Sequence, residues 1–398
     1  WNEHLAQYYA PKNFNFWYYF GGLAVVVLVL QIVTGIILTM HYKPDAELAF
    51  ASVEYIMRDV PAGWFVRYLH GVGASMFFLV VYLHMFRGLM YGSYRNPREL
   101  IWILGMVIYV ALMAEAFFGY LLPWGNMSYW GAQVIISLFG ALPVIGEPLA
   151  EWIRGDFVVS DATLNRFFAF HVILLPLLLA LLVYLHIVAL HKVGSNNPDG
   201  VDIKKNKDKD GIPVDGIPFH PYYTVKDTFG IAVFMTIFLG IVFFVPELGG
   251  WFLEKDNFAP ADILQTPPDI VPLWYLTPYY SILRAVTFEW LPGGAKVWGV
   301  IAMGAAIVMF FFLPWLDRAK VRSIRYRGWM YKTALTIFAV TFVMLGYLGT
   351  KNPGHIDLFL FENVIWAQIG MLLYFAFFLL MPIYTTLDRT KPEPDRVG

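Results

Sequence analysis

The sequence predicts an all-α integral membrane protein of eight transmembrane helices, the first four forming a bundle, with short interfacial helices in the loops on one side. Three observations carry this reading. Of 398 residues, 59% are hydrophobic and only 14% charged, far more apolar surface than a soluble chain of this size can hide. Stretches able to cross the hydrocarbon layer, which takes roughly 20 apolar residues, recur eight times. Four histidines then fall inside those stretches at matched intervals.

The spans lie near residues 17–40, 64–90, 99–122, 165–190, 225–246, 297–316, 329–348 and 361–384, here A to H. The longest polar interruption, "GSNNPDGVDIKKNKDKDGIPVDGIP" from Gly194 to Pro218, separates A–D from E–H. It lacks apolar periodicity and is rich in turn formers and charge. The expected organisation is therefore a bundle over 1–200, a polar linker over 201–220 and a second four-helix region over 221–398. Two connections on the opposite side, Asn126 to Phe157 and Phe258 to Gly294, are apolar and aromatic but broken by Gly and Pro. Such segments suit short interfacial helices lining a pocket.

If both termini share one side, the loops opposite carry nine of the 28 basic residues: Lys43, Arg58, Arg67, Arg154, Arg166, Lys255, Arg284, Lys296 and Lys351. The other nineteen lie on the terminal side, so the positive-inside rule predicts cytoplasmic termini. No charged leader precedes span A, so no signal peptide is read. Cysteine is absent. That excludes disulfides, iron–sulfur clusters held by this chain and covalently attached c-type haem.

His70 and His84 on B are fourteen residues apart, and His171 and His186 on D fifteen. At 100° per residue each pair shares one helix face, separated by roughly 21 to 22 Å along the axis. B and D run the same way, so His70 lies level with His171 and His84 with His186. A single buried histidine is commonly a hydrogen-bonded core residue or a proton relay. Four in two matched levels are what two bis-imidazole haems require, one imidazole on each face of each iron. Gly21 and Gly35 on A, and Gly105 and Gly119 on C, repeat the fourteen-residue interval. They would let backbone retreat from a wedged macrocycle, beyond the ordinary small-residue packing of membrane helices. Arg67 and Arg87 bracket B three residues outside its histidines. They suit haem propionates, with snorkelling to the interface as the alternative.

The strings "LQIVTGIILTMHY", "RYLHGVGASMFFLVVYLHMFRGLMYGSY", "FFGYLLPWGNMSYWGA", "DATLNRFFAFH", "GSNNPDG", "FHPYYTVKD" and "PYYSILRA" span nearly the whole chain. In them the sequence resembles bacterial-type cytochrome b of the cytochrome bc1 complex, the ubiquinol:cytochrome c oxidoreductase of respiratory complex III. The resemblance implies two non-covalent b-type haems, a low-potential one on His70 and His171 and a high-potential one on His84 and His186. It implies ubiquinol oxidation at an outer site (Qo) and quinone reduction at an inner site (Qi), coupled to proton translocation through a Q cycle. The implied partners are a Rieske-type iron–sulfur protein and cytochrome c1, in a homodimeric complex of the bacterial inner membrane. Lipid surrounds the spans, and no nucleic acid is expected.

Carried over residue by residue, the outer site falls on Phe117, Tyr120, Met127, Gly131, Ile135, Pro267 and Tyr275. The inner site falls on His191, Ser195, Asn196, Lys226 and Asp227, where His191 and Asp227 would exchange protons. Three departures stand out. The family's Pro-Glu-Trp-Tyr is "PLWY" here, with Leu273 in place of the proton-accepting glutamate. Glu147 is the first candidate to replace it and Asp269, where a histidine is frequent, the second. The fifteen-residue interval on D exceeds the fourteen of mitochondrial-type members, and Pro176 between the two histidines can host a wide turn that absorbs the extra residue. Alternatives weighed beside this reading are the haem b anchor of another dehydrogenase and a proton-coupled transporter.

Overall fold

The computed structural model describes residues 8–290 and 292–398; the reading of the chain start falls on residues 1–7, outside the described residues. Seven helices there are long and apolar enough to span: Phe16–Thr39, Gly63–Tyr91, Glu99–Leu121, Asp161–Val193, Phe219–Phe244, Gly294–Leu316 and Trp329–Gly349. Span H is a pair, Asn363–Leu379 and Met381–Leu387, bent by 58°. Pro382, in the first turn after the break, has no N–H for the Phe378 carbonyl, and its ring disfavours continuation of the straight helix.

The helices that frame the site are α1 (Tyr19–Thr39), α2 (Ala49–Arg58), α3 (Gly63–Tyr91), α4 (Glu99–Leu121), α5 (Asn126–Gly140), α6 (Gly146–Arg154), α7 (Asp161–Ala169), α8 (Leu175–Val193), α9 (Thr224–Phe244) and α10 (Thr277–Ala285). Helices α1 and α3 pack along each other, as do α4 and α8, and α9 lies against the first pair. Helix α2 was not anticipated. Its buried Ala49, Ser52 and Ile56 recur at helical spacing and set it on α3. A short two-stranded antiparallel sheet, β1 (Tyr9–Pro11) with β2 (Gly216–Pro218), is a minor addition to the helical fold.

Span D is continuous from Asp161 but not uniformly α-helical. Phe170–Leu174 forms a π-turn, closed by the Leu175 N–H on the Phe170 carbonyl. Pro176 follows at once, leaving the Val172 carbonyl without its usual donor. A π-turn takes in one extra residue, so the fifteen-residue interval from His171 to His186 acts as fourteen and returns both rings to one face.

On the linker side, charge holds the chain ends to the polar loop. Asp215 receives Arg396 Nε at 2.6 Å and Nη2 at 3.0 Å, with Lys12 at 3.2 Å. The Arg396 hydrogen bonds hold the Asp215 carboxyl down at about 2, against the opposing effect of burial. Asp202 bridges Arg98 and Arg322, each at 3.1 Å. On the opposite side, the start of α5 is tied to the 257–265 segment. Asn126 N–H donates to the Ala259 carbonyl at 2.9 Å, Ser128 N–H to Asn257 Oδ1 at 3.0 Å and Ala261 N–H to the Trp124 carbonyl at 2.9 Å.

Candidate functional site

The structure brings the four histidines together in two pairs. The His70 and His171 ring centroids are 6.0 Å apart, and those of His84 and His186 are 6.4 Å apart. Two metal–imidazole bonds of about 2 Å, plus roughly 1 Å from each nitrogen to its ring centre, also sum to about 6 Å. Both separations therefore suit one metal between two rings.

The neighbours of the first pair fix the ring protons. Thr34 Oγ1 donates to the Leu30 carbonyl at 2.6 Å and stands 2.9 Å from His70 Nδ1. With its own proton committed, that oxygen accepts from Nδ1–H. His171 Nδ1 faces two acceptors, the Glu115 carbonyl at 2.9 Å and Glu115 Oε1 at 3.1 Å. Protonation at Nδ1 leaves both Nε2 lone pairs for a metal. In the second pair, Arg87 Nη2 lies 3.4 Å from His84 Nδ1, and its guanidinium lies 4.9 Å from the Tyr18 ring centre. His186 Nδ1 is buried without a hydrogen-bond partner among the described residues.

Each predicted glycine faces one of these rings. A Cβ at Gly35 would come 3.2 Å from His70 Cε1, one at Gly21 3.2 Å from His84 Cε1 and one at Gly105 3.3 Å from His186 Cε1. At Gly119 it would fall well inside van der Waals contact with the His171 ring. The glycines thus make room first for the imidazoles themselves. Arg67 is partly buried one turn from His70.

The second pair opens into a cavity of about 410 Å³ that reaches the linker side. His191, Ser195, Asn196, Lys226 and Asp227 all line it, together with Gly21, His84, Arg87, Gly105 and His186. The His191 ring lies 4.5 Å from that of Tyr8. Asn196 is held by its Nδ2 on the Tyr91 carbonyl at 2.6 Å. Ser195 Oγ donates to the Asn196 carbonyl at 3.0 Å. Lys226 Nζ sits 4.6 Å from the Tyr222 ring centre.

Arg98 is a cavity residue that sequence reasoning missed. It is 4% exposed, bonds the Gly194 carbonyl at 3.0 Å and Asp202, and keeps Nη1 without a partner among the described residues. Its signal was faint, since a basic residue just before a span usually marks an interface.

Toward the opposite side, Tyr120 lies in the last turn of α4, Met127, Gly131 and Ile135 lie on α5, and Pro267 is buried in the connection between α9 and α10. A Cβ at Gly131 would touch Tyr120 at 3.5 Å. Phe117 packs on Phe118 and Phe167. Tyr275 is 1% exposed, stacked at 3.8 Å on Phe78, and its hydroxyl has no partner among the described residues. Leu273 packs into the apolar core. Glu147 and Asp269 are both exposed. The acid found inside is another one: Glu254, whose Oε2 accepts from the Tyr120 hydroxyl at 3.1 Å. Burial raises its carboxyl to about 7.

Fold and site together define a multi-pass helical membrane protein with two facing histidine pairs between its first four spans. The family models described as Cytochrome b/b6/petB and Cytochrome b(C-terminal)/b6/petD match residues 5–194 and 260–375. The chain is 61% identical to cytochrome b of Allochromatium vinosum, covering 100% of this chain and 94% of that protein. It is 48% identical to cytochrome b of Rickettsia prowazekii, covering 98% and 92%. A solved structure titled "Hyperthermophilic respiratory Complex III" aligns with a TM-score of 0.86 at 37% identity, covering 97% of this chain and 95% of that one. The chain belongs to the cytochrome b family.

Proposed function

We propose that this chain is the cytochrome b subunit of a quinol:cytochrome c oxidoreductase, oxidising ubiquinol at an outer site and reducing quinone at an inner one. It would act with a Rieske-type iron–sulfur protein and cytochrome c1, as a homodimeric complex of the bacterial inner membrane, its termini cytoplasmic. The observation that carries the reading is the pair of histidine levels, with ring separations of 6.0 and 6.4 Å. His70 and His171 would hold one b haem, and His84 and His186 the other. Bound there, the haems supply one-electron relay between the two sites.

The chain's own residues do the rest. Thr34 and Glu115 lock the tautomer of the first pair. Arg67 and Arg87, with the Nη1 of Arg98 that has no partner among the described residues, offer cations to the anionic edges of the haems. In the linker-side cavity, His191 and Asp227 stand where a quinone being reduced needs protons from the cytoplasm, and Ser195, Asn196 and Lys226 supply polar contacts that orient its carbonyl oxygens. On the outer side, Tyr120, Gly131 and Tyr275 frame the quinol pocket. Phe117, Met127, Ile135 and Pro267 give it apolar walls.

The test is the spectrum of the purified complex. It should show two b-type components per chain that ubiquinol reduces and an added quinone reoxidises. A preparation with no b-type absorption would remove the proposal.

A further inference from the structure

Leu273 cannot carry a proton, yet a carboxylate lies beside Tyr120 of the expected outer site. Glu254 lies between α9 and α10, immediately before the segment that Asn257 and Ala259 tie to the start of α5. The Tyr120 hydroxyl donates to its Oε2 at 3.1 Å. Tyr275, arriving from a different part of the chain, is close enough that the Glu254 charge raises its hydroxyl further, after burial itself. Tyr275 is 1% exposed, and its buried hydroxyl has no partner among the described residues. A tyrosine O–H so placed is left for a ligand or a water. Two residues of the expected quinol pocket thus converge on one acid, whereas Glu147 and Asp269 face solvent.

We propose that Glu254 is the proton acceptor of quinol oxidation in this protein, taking the role that Leu273 leaves empty. The inference rests on the outer-site reading above. One quinol O–H breaks, its electron pair stays on the quinol oxygen, and the proton forms a new O–H on the Glu254 carboxylate. The second hydroxyl proton leaves toward the iron–sulfur partner. The two electrons leave singly, one to that partner and one to the haem that His70 and His171 would hold.

A base must be charged before the step and able to release its proton afterwards. The groups facing Glu254 are Tyr120 from α4, Tyr275 from the segment before α10 and Asp256 from its own segment. Burial is the largest influence and Asp256 pushes the same way, while a backbone N–H and Tyr120 oppose them. The resulting value of about 7 lets the group exchange a proton near neutral pH.

The experiment compares the wild-type complex with E254Q, E254D and E147Q, measuring ubiquinol:cytochrome c turnover against pH and b-haem content. Wild-type turnover should rise through a midpoint near 7. E254Q should keep its haems, lose on the order of a hundredfold in rate and lose that pH limb, while E254D restores a limb displaced in pH and E147Q behaves as wild type. Wild-type rate and pH limb in E254Q would overturn the proposal while leaving the outer-site reading intact. A wild-type complex without quinol oxidation would overturn the reading itself. Should E254Q fail to assemble, E254D decides: an undisplaced limb overturns the role of Glu254.

Discussion

Replacing Glu115 by Gln removes a carboxylate from directly behind one histidine pair. Glu115 Oε1 lies 3.1 Å from His171 Nδ1, and the side chain is 16% exposed within span C. An iron on the far nitrogen of that ring would sit roughly 7 Å from the carboxylate, a ring's width and a bond of about 2 Å beyond Nδ1. At an effective dielectric constant of about 20, unit charges 7 Å apart interact by roughly 2.4 kcal/mol. For a one-electron couple, where 59 mV is a tenfold change, that is on the order of 100 mV. The carboxylate favours the more positive, oxidised state, so E115Q should raise the potential of the haem on His70 and His171 by about 100 mV. The other level, roughly 21 Å away along the helix, should barely move. A redox titration of the purified complex, following the two b-type α bands, reads this directly. A shift of about 25 mV or less, the value for the same charges in bulk water, would refute the argument that this carboxylate acts through a low-dielectric interior.

Gly119→Ala should remove haem from the His70–His171 level, because the added methyl overlaps the His171 ring, while Gly35→Ala, at 3.2 Å from His70, should retain more of it; the b-type absorption of the two variants ranks them. Arg396→Ala should free the C-terminus from Asp215 and expose the 194–218 linker, read as faster limited proteolysis. The wild-type contact has its own pH dependence. The folded Asp215 value, about 2, is below the unfolded value of about 3.9, so its contribution is present above about pH 4 and lost as pH falls toward 2.

Much of this was legible because span length and helical period are local properties. Charge-poor stretches of about 20 residues leave few alternatives to a spanning helix, and the His70–His84 interval translates directly into one face and two depths. Pro176 and the surplus residue on D foreshadowed the π-turn. Helix α2 was missed because its buried face is only Ala49, Ser52 and Ile56, too weak beside its charged Glu54 and Arg58. The pairing of Tyr9 with Pro218 joins segments that no local pattern connects. Glu254 was invisible for the same reason: its tie to Tyr120 spans 134 positions, and nothing nearby in sequence distinguishes it from Asp256. Glu115 had a usable signal, an acid in the middle of an apolar span, which by itself marks a functional position.

The two histidine levels should hold two haems. The most direct measurement is the haem-to-chain ratio of the purified complex, wild type beside His70→Leu and His84→Leu, read with the potentials of the remaining bands. The structure predicts two haems in the wild type and, in each assembled variant, loss of a different one. A wild-type ratio of one, or the same band lost in both variants, would contradict it.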